Sequence, residues 1–190
     1  MSEDRHLIEI KTASQELLKG RFLHAFRDTV QLPDGTSTTR EYVVHPGAVM
    51  VIPLLDDGRI LLERQFRYPV GQVMIEFPAG KIDPGEDRLV CAKRELLEET
   101  GYTAREWAHA GLLHPVISYS TEFIDIWFAR GLVAGDSKLD AGEFLEIFTA
   151  TPKELLTWCR DGRVTDAKTL TGALWLHNVL SGEWTLTWGG

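Results

Sequence analysis

The chain has 190 residues, 44% hydrophobic and 25% charged, which are the proportions of a soluble globular protein long enough for one good core. A formal net charge of −8 and the lack of any dense Lys/Arg run exclude a broad nucleic-acid surface, and no apolar run approaches a membrane span. Two cysteines, Cys91 and Cys159, are too few and too far apart for a disulfide framework or a zinc site. The start MSEDRHLIEIKTAS lacks the basic and apolar segments of a secretory leader, so the expected compartment is the cytoplasm.

In chain order, residues 21–44 alternate around Pro33-Asp34-Gly35 and predict a hairpin ahead of the main body. A largely apolar strand is expected over 48–55, a turn at Asp56-Asp57-Gly58, a returning strand over 59–67 and a shorter one over 73–77 that stops at Pro78. A loop carrying Pro84 and Gly85 then feeds a helix, with Glu86 and Asp87 placing negative charge at its positive end. Leu89, Ala92, Lys93 and Leu96, widened by Leu97, form its packing stripe, and Gly101 marks its end. Strands follow near 106–113, 123–130 and 144–150, then helices near 152–161 and 166–181, and residues 185–190 are expected to be a mobile tail. Strands before and after one central helix, with further helices at the end, indicate an α/β chain with a mixed sheet between helices. The pattern alone leaves the topology open.

Glu95, Glu98 and Glu99 stand at i, i+3 and i+4, so their carboxylates share one helix face. Like charges at that spacing repel unless they are well solvated or something positive sits among them, and oxygen-only ligands suit Mg²⁺ or Mn²⁺. A solvated acidic face is the bland reading of an isolated Glu-Glu pair. Here the fixed positions are more numerous: Gly80, Glu86, Arg94, Glu95, Leu96, Glu98, Glu99 and Gly101 fit G-x5-E-x7-R-E-U-x-E-E-x-G-U, with U a bulky apolar residue. A chance match is on the order of 10⁻⁸ per start point at ordinary residue usage. This string resembles the Nudix box, with Tyr102 where an aliphatic residue is usual.

The likeness extends over residues 20–182. The segments Arg64-Gln65-Phe66-Arg67-Tyr68-Pro69-Val70-Gly71, Glu76-Phe77-Pro78-Ala79-Gly80 and LDAGEFLEIF at 139–148 resemble ADP-ribose pyrophosphatases and related nucleoside-diphosphate-sugar hydrolases. The resemblance implies a Nudix α/β/α sandwich over residues 45–182, a small N-terminal β dimerisation element over 1–44 and a tail over 183–190. It also implies a homodimer with exchanged N-terminal strands. The implied reaction is metal-dependent hydrolysis of the pyrophosphate bond of ADP-ribose or a related nucleotide sugar, giving a nucleoside monophosphate and a sugar phosphate. The alternatives are a GDP-mannose-type or broad nucleotide-sugar hydrolase and, from another class, a nucleotide-sugar sensor that binds without turnover. No nucleic acid or membrane partner is implied.

By the same resemblance Glu95, Glu99, Glu98 and the Ala79 carbonyl hold Mg²⁺, with Mn²⁺ as a possible substitute. Gly80 then allows close approach of the chain. Glu86 lies near the metals or braces the loop, and Arg94 fixes a carboxylate by paired hydrogen bonds. The general base is assigned to Glu143, with Glu98 also taken as catalytic and Glu146 as the substitute base. Arg67 is a phosphate-contact candidate, a structural ion pair being the competing reading. Glu122, in the loop Ser118-Tyr119-Ser120-Thr121-Glu122, is the ionisable candidate on the substrate side, against a plain solvated carboxylate. Phe22, Arg40 and Glu41 sit in the hairpin that would reach the substrate, where an aromatic can stack on a base; core packing is the competing reading for Phe22 and Phe26. The histidines, among them His24, His45, His109, His114 and His177, show no metal spacing.

Overall fold

The computed structural model describes residues 4–136, 138–139, 142 and 144–190, and the chain divides into two compact units. The first comprises Met1–Pro46 with Val116–Glu122. Its strands β1 (Ile10–Lys19), β2 (His24–Gln31) and β3 (Ser37–Val44) form one antiparallel sheet in the order β1-β2-β3. The expected hairpin is β2–β3, closed by Asp34, whose carboxylate accepts from Thr36 N (2.9 Å) and Thr36 Oγ1 (2.6 Å), and by Gly35 at φ +88°. Strand β1 was not anticipated. Every one of its residues is exposed, so no burial-driven alternation marks it in the sequence.

Little apolar surface is available to this sheet, and a polar knot occupies its middle. Asp28 is buried and accepts hydrogen bonds from Ser14 Oγ (2.5 Å) and Tyr42 Oη (2.9 Å). Residues 116–122 join from far along the chain through Val43 N to Tyr119 O (2.9 Å) and Thr121 N to Val43 O (3.0 Å). Phe22 and Phe26 differ in role. Phe26 stacks on Tyr42, whereas Phe22 is 57% exposed, so the core-packing reading fails for it.

The second unit is Gly47–Pro115 with Phe123–Gly190. Strands β4 (Ala48–Pro53), β7 (Ala79–Lys81), β8 (Tyr102–Leu113) and β9 (Ile124–Ala134) form a mixed sheet in the order β7-β4-β9-β8, with β4 and β9 parallel. Strands β5 (Ile60–Arg67), β6 (Gln72–Glu76) and β10 (Leu145–Ala150) form an antiparallel sheet in the order β10-β5-β6. Alternation along β4 sets the layers. Val49 and Val51 pack under Cys91, Ala92 and Leu96 of α1 (Arg88–Thr100), while Met50 and Ile52 face Leu155 of α2 (Pro152–Arg160) and Ala173 and Leu176 of α3 (Ala167–Leu180). This is the expected α/β/α sandwich.

The helices start where side chains satisfy their first N–H groups. Asp87 accepts from Leu89 N and Val90 N, Thr151 and Glu154 form a capping box, and Asp166 accepts from Thr169 N. Helix α1 ends at Gly101 with φ +75°. Its buried face is Cys91, Ala92, Leu96, Glu99 and Thr100, so the expected stripe is rotated and Leu97 is exposed. The tail is also not the expected mobile end. Gly189 exchanges two backbone hydrogen bonds with Trp107 (2.7 and 2.9 Å), Trp188 lies under the Arg130 guanidinium at 4.0 Å, and Leu186 and Trp188 pack against the core.

Candidate functional site

Strand β7 brings the segment after Pro78 alongside α1. Ala79 pairs with Met50 of β4, and its N–H donates to Glu99 Oε2 at 3.0 Å. Glu99 is itself buried. Gly80 is needed for proximity: a Cβ built there would collide with the Glu95 carboxylate. The expected ligand set of Ala79, Glu95, Glu98 and Glu99 is therefore gathered by one short strand and one helix face.

The positive group among these acids is Arg94. Its Nε and Nη2 take the two oxygens of Glu86 at 2.8 and 2.9 Å, and Nη2 also donates to Lys81 O at 3.1 Å. Its Nη1 donates to Glu95 Oε1 at 2.7 Å and Glu98 Oε2 at 2.9 Å. The fork to Glu86 is the planar, paired geometry that suits arginine rather than lysine. These hydrogen bonds hold the Glu86 carboxyl at about 2, well under its usual 4.5, and keep the guanidinium firmly charged. Glu86 in turn accepts from Asp83 N (3.0 Å), so it braces the loop. The Cys91 thiol beneath is pushed up to about 12, by burial first and by the Glu86 carboxylate second.

Among the described residues, no three His, Cys, Asp or Glu side chains close into a metal cage as they stand. The donor chemistry nevertheless fits a hard divalent cation, because every candidate ligand is an oxygen, and the glycine cradle leaves room that a Cβ would fill.

A second ionic chain lies on the β5–β6 sheet. Glu63 and Glu76 are register partners, both buried, and Arg67 lies four residues beyond Glu63 on the same face. Arg67 Nε and Nη2 take both oxygens of Glu76 at 2.7 and 2.8 Å. Lys168 Nζ, from α3, donates to Glu76 Oε2 and, at 3.0 Å, to Asp166 Oδ2. Burial alone would raise the Glu76 carboxyl, but the Arg67 hydrogen bonds and the Lys168 charge outweigh it and the group stays ionised. Arg67 is held charged chiefly by Glu76, with the fields of Glu63 and Glu99 adding to it, which ties this chain electrostatically to the α1 acids.

Sequence reasoning missed Glu76, Lys168 and Asp166 as a group. The signal was present: a lone glutamate in the apolar run VMIEF and a lone lysine at the start of the apolar helix AKTLTGALWLHNVL are charges that must be paired when buried.

The other expected residues are placed as follows. Glu143 lies outside the described residues. Glu146 is exposed and pairs with Arg64 (3.2 Å), its register partner, on the sheet face opposite Glu63 and Arg67. Arg40, Glu41, Phe22 and Glu122 belong to the first unit. There Arg40 forms a fork with Glu9 (3.0 and 2.6 Å), Glu41 pairs with Arg27 (2.5 Å), and Glu122 N donates to Ser120 Oγ at 3.1 Å.

Near the start of α1, buried Asp125 collects His109 Nε2 (2.9 Å), Trp127 Nε1 (2.9 Å) and Arg88 Nη1 (3.4 Å) beside an open cleft of about 640 Å³ that Glu86 also lines. His109 is thus a hydrogen-bonded structural histidine.

With the geometry described, comparison with known proteins gives the family. Residues 44–171 match the NUDIX domain, and residues 9–43 match the nucleoside diphosphate sugar hydrolase N-terminal domain. The chain is 36% identical over 165 residues to an ADP-ribose pyrophosphatase of Bacillus subtilis (strain 168), covering 85% of this chain and 89% of the relative. It is 36% identical over 176 residues to a methanol dehydrogenase activator of Bacillus methanolicus, covering 90% and 94%. An ADP-sugar pyrophosphatase of Mus musculus is 32% identical over 173 residues, covering 82% and 78%. A solved structure of an ADP compounds hydrolase shares the fold, with a TM-score of 0.83 at 22% identity, over 92% of this chain and 95% of that one.

Proposed function

We propose that this chain, which belongs to the NUDIX domain family, hydrolyses the pyrophosphate bond of ADP-ribose or a related ADP-sugar, releasing AMP and a sugar phosphate. The observation that carries the reading is the acidic set Glu95, Glu98 and Glu99, gathered with the Ala79 backbone, with Arg94 bonded to Glu95 and Glu98. Relatives named for ADP-ribose and ADP-sugar hydrolysis, each aligned over more than three quarters of its length, support the substrate class.

A pyrophosphate resists attack because its anionic oxygens repel nucleophiles, so positioning and charge neutralisation carry the catalysis. Glu95, Glu99, Glu98 and the Ala79 carbonyl would hold a divalent cation, for which we favour Mg²⁺ with Mn²⁺ as a substitute. When bound, the cation neutralises phosphate charge and acidifies water. Arg67 donates to a phosphate oxygen through Nη1, the guanidinium nitrogen that carries no hydrogen bond among the described residues. Glu143 takes the proton of the attacking water as the oxygen–phosphorus bond forms and the bridging phosphorus–oxygen bond breaks. Glu98 assists at the same water.

The reading extends to assembly and location. The N-terminal unit presents Ile10, Leu17, Leu18 and Phe22 at 41–59% exposure, too much apolar surface for so small a sheet to leave in water. We assign it to a homodimer with exchanged N-terminal strands, in which Phe22, Arg40, Glu41 and Glu122 contribute to substrate binding. A monomeric mass by light scattering at micromolar concentration would refute that. Among the described residues no helix is long and apolar enough to cross a membrane, and two free cysteines suit the reducing cytoplasm as the proposed compartment.

The test is a substrate panel with Mg²⁺ or Mn²⁺ covering ADP-ribose, GDP-mannose, other nucleotide sugars, dinucleoside polyphosphates and NADH, with products identified by mass. ADP-ribose is expected to give AMP and ribose phosphate most efficiently. Preferred turnover of GDP-mannose would replace the substrate assignment, and saturable binding with no product under either metal would replace hydrolysis by sensing.

A further inference from the structure

Arg67, Glu76, Lys168 and Asp166 form an alternating row of charge that runs from the sheet surface into the helix layer. Side-chain exposure falls from 40% at Arg67 to 2% at Glu76 and 10% at Lys168, and is 21% at Asp166. The order plus, minus, plus, minus ends outward on a cation. At the inner end Asp166 caps α3, accepting from Thr169 N (2.9 Å) and Thr169 Oγ1 (2.6 Å), so the positive end of the helix offsets its charge.

The important atom is Glu76 Oε2. It receives both Arg67 Nη2 and Lys168 Nζ, so one carboxylate is divided between two cations. Arg67 is therefore oriented by a two-point fork and yet is not fully neutralised by it. Among the described residues its Nη1 carries no hydrogen bond, and the Arg67 side chain is 40% exposed, so free donors remain on the guanidinium. Two further carboxylates, Glu63 on the same strand face and Glu99 on α1, add negative field at Arg67. Lys168 supplies a second cation on Glu76 and so offsets part of the negative field that would oppose an anionic ligand at Arg67.

Resting on the reading that Arg67 meets a substrate phosphate, we propose that Lys168 is a positioning residue for substrate binding: by sharing Glu76 it keeps Arg67 both oriented and electropositive. Lys168 stands 92 positions from Glu76 in sequence and acts only through it. The role differs from simple core stability, because it is read out in phosphate affinity rather than in folding.

The experiment compares wild type, Lys168→Met and Lys168→Gln for ADP-ribose hydrolysis, each also in an Arg67→Ala background, with folding checked by circular dichroism and thermal melting. Lys168→Gln keeps a hydrogen bond to Glu76 without the charge, and carries the test if the methionine variant does not fold. Removing a unit charge a few ångströms from a guanidinium at an effective dielectric of about 20 is expected to lower kcat/KM by about 10- to 100-fold. The loss is expected mainly in KM, with the midpoint of Mg²⁺ activation unchanged. In the Arg67→Ala background either Lys168 change is expected to add less than about twofold, the signature of two residues acting as one unit. Wild-type KM in the folded variants, or a loss that multiplies fully with that of Arg67→Ala, overturns the inference while leaving the hydrolase reading intact. A wild-type protein that turns over no nucleotide sugar overturns both.

Discussion

Replacing Gly80 by alanine separates the fold from the chemistry. The backbone at Gly80 is ordinary strand, paired with Val49, so alanine is allowed there without strain and restricts the unfolded chain by about 0.4–1 kcal/mol in favour of folding. Its Cβ, however, would occupy the place of the Glu95 carboxylate, the far end of a flexible side chain rather than backbone. Glu95 must swing away, losing its hydrogen bond from Arg94 Nη1, a charge-assisted contact worth about 1.5–3 kcal/mol. The net cost is about 0.5–2.6 kcal/mol, or a fall in Tm of about 1–10 °C for a chain of this size. Activity suffers far more: a displacement of about 1 Å in a catalytic constellation costs roughly 10²-fold. The assay pairs thermal melts with ADP-ribose turnover across a Mg²⁺ titration, in Gly80→Ala, Glu95→Ala and the double variant. In the double variant the stability cost of Gly80→Ala should largely vanish, because the carboxylate nearest the new Cβ is gone. Wild-type turnover in Gly80→Ala, or an unchanged stability cost once Glu95 is removed, would refute the reasoning.

Glu143→Gln should lower kcat by about 10²- to 10⁴-fold, whereas Glu146→Gln, paired with Arg64 on the sheet face away from Glu63 and Arg67, should change it little; comparable rates for the two variants would sink the base assignment. Because the folded Glu86 carboxyl sits at about 2, below its ordinary 4.5, its contribution to stability is complete above pH 4.5 and lost as pH falls toward 2. Denaturant melts of wild type and Arg94→Gln should therefore differ most near neutral pH and converge across that window. The Cys91 thiol, pushed up to about 12 and wholly buried, should resist a thiol reagent at pH 8 until the protein unfolds, while the half-buried Cys159 reacts first. Deleting residues 185–190 removes the Trp107 bridge and the Trp188 contact, and should lower stability by about 2 kcal/mol, roughly half the loss of a fully buried aromatic; a truncated chain with wild-type Tm would show the tail to be merely adjacent.

What could be read from the sequence was whatever is local. Glu95, Glu98 and Glu99 share a face because a helix has a fixed period, and Gly80 and Glu86 stand at set offsets from them, so the acidic constellation was legible in a single string. The β2–β3 hairpin was legible because Pro33-Asp34-Gly35 has its own turn chemistry. Strand β1 was not, since none of its residues is buried and burial is what writes alternation into a strand. Arg67 could be named, but its orientation could not, because Glu76 and Lys168 are brought together by tertiary packing across 92 positions. The tail was misread for a related reason: its ordering comes from Trp107 and Arg130, which its own composition cannot announce. Repulsion among the acids points to a metal, yet Arg94 already supplies a cation inside the same box, reaching Glu95 and Glu98 as well as Glu86.

That arginine changes the order of events in the life of the molecule. A helix that carries its own counter-ion can be synthesised, folded and packed before any divalent ion reaches it. Folding and activation should then be separate occasions: chelation is expected to abolish turnover while the thermal melt stays cooperative, since Arg94 already pairs with Glu86, Glu95 and Glu98. Catalytic output can follow the supply of free cation from moment to moment, while the population of folded chains stays constant.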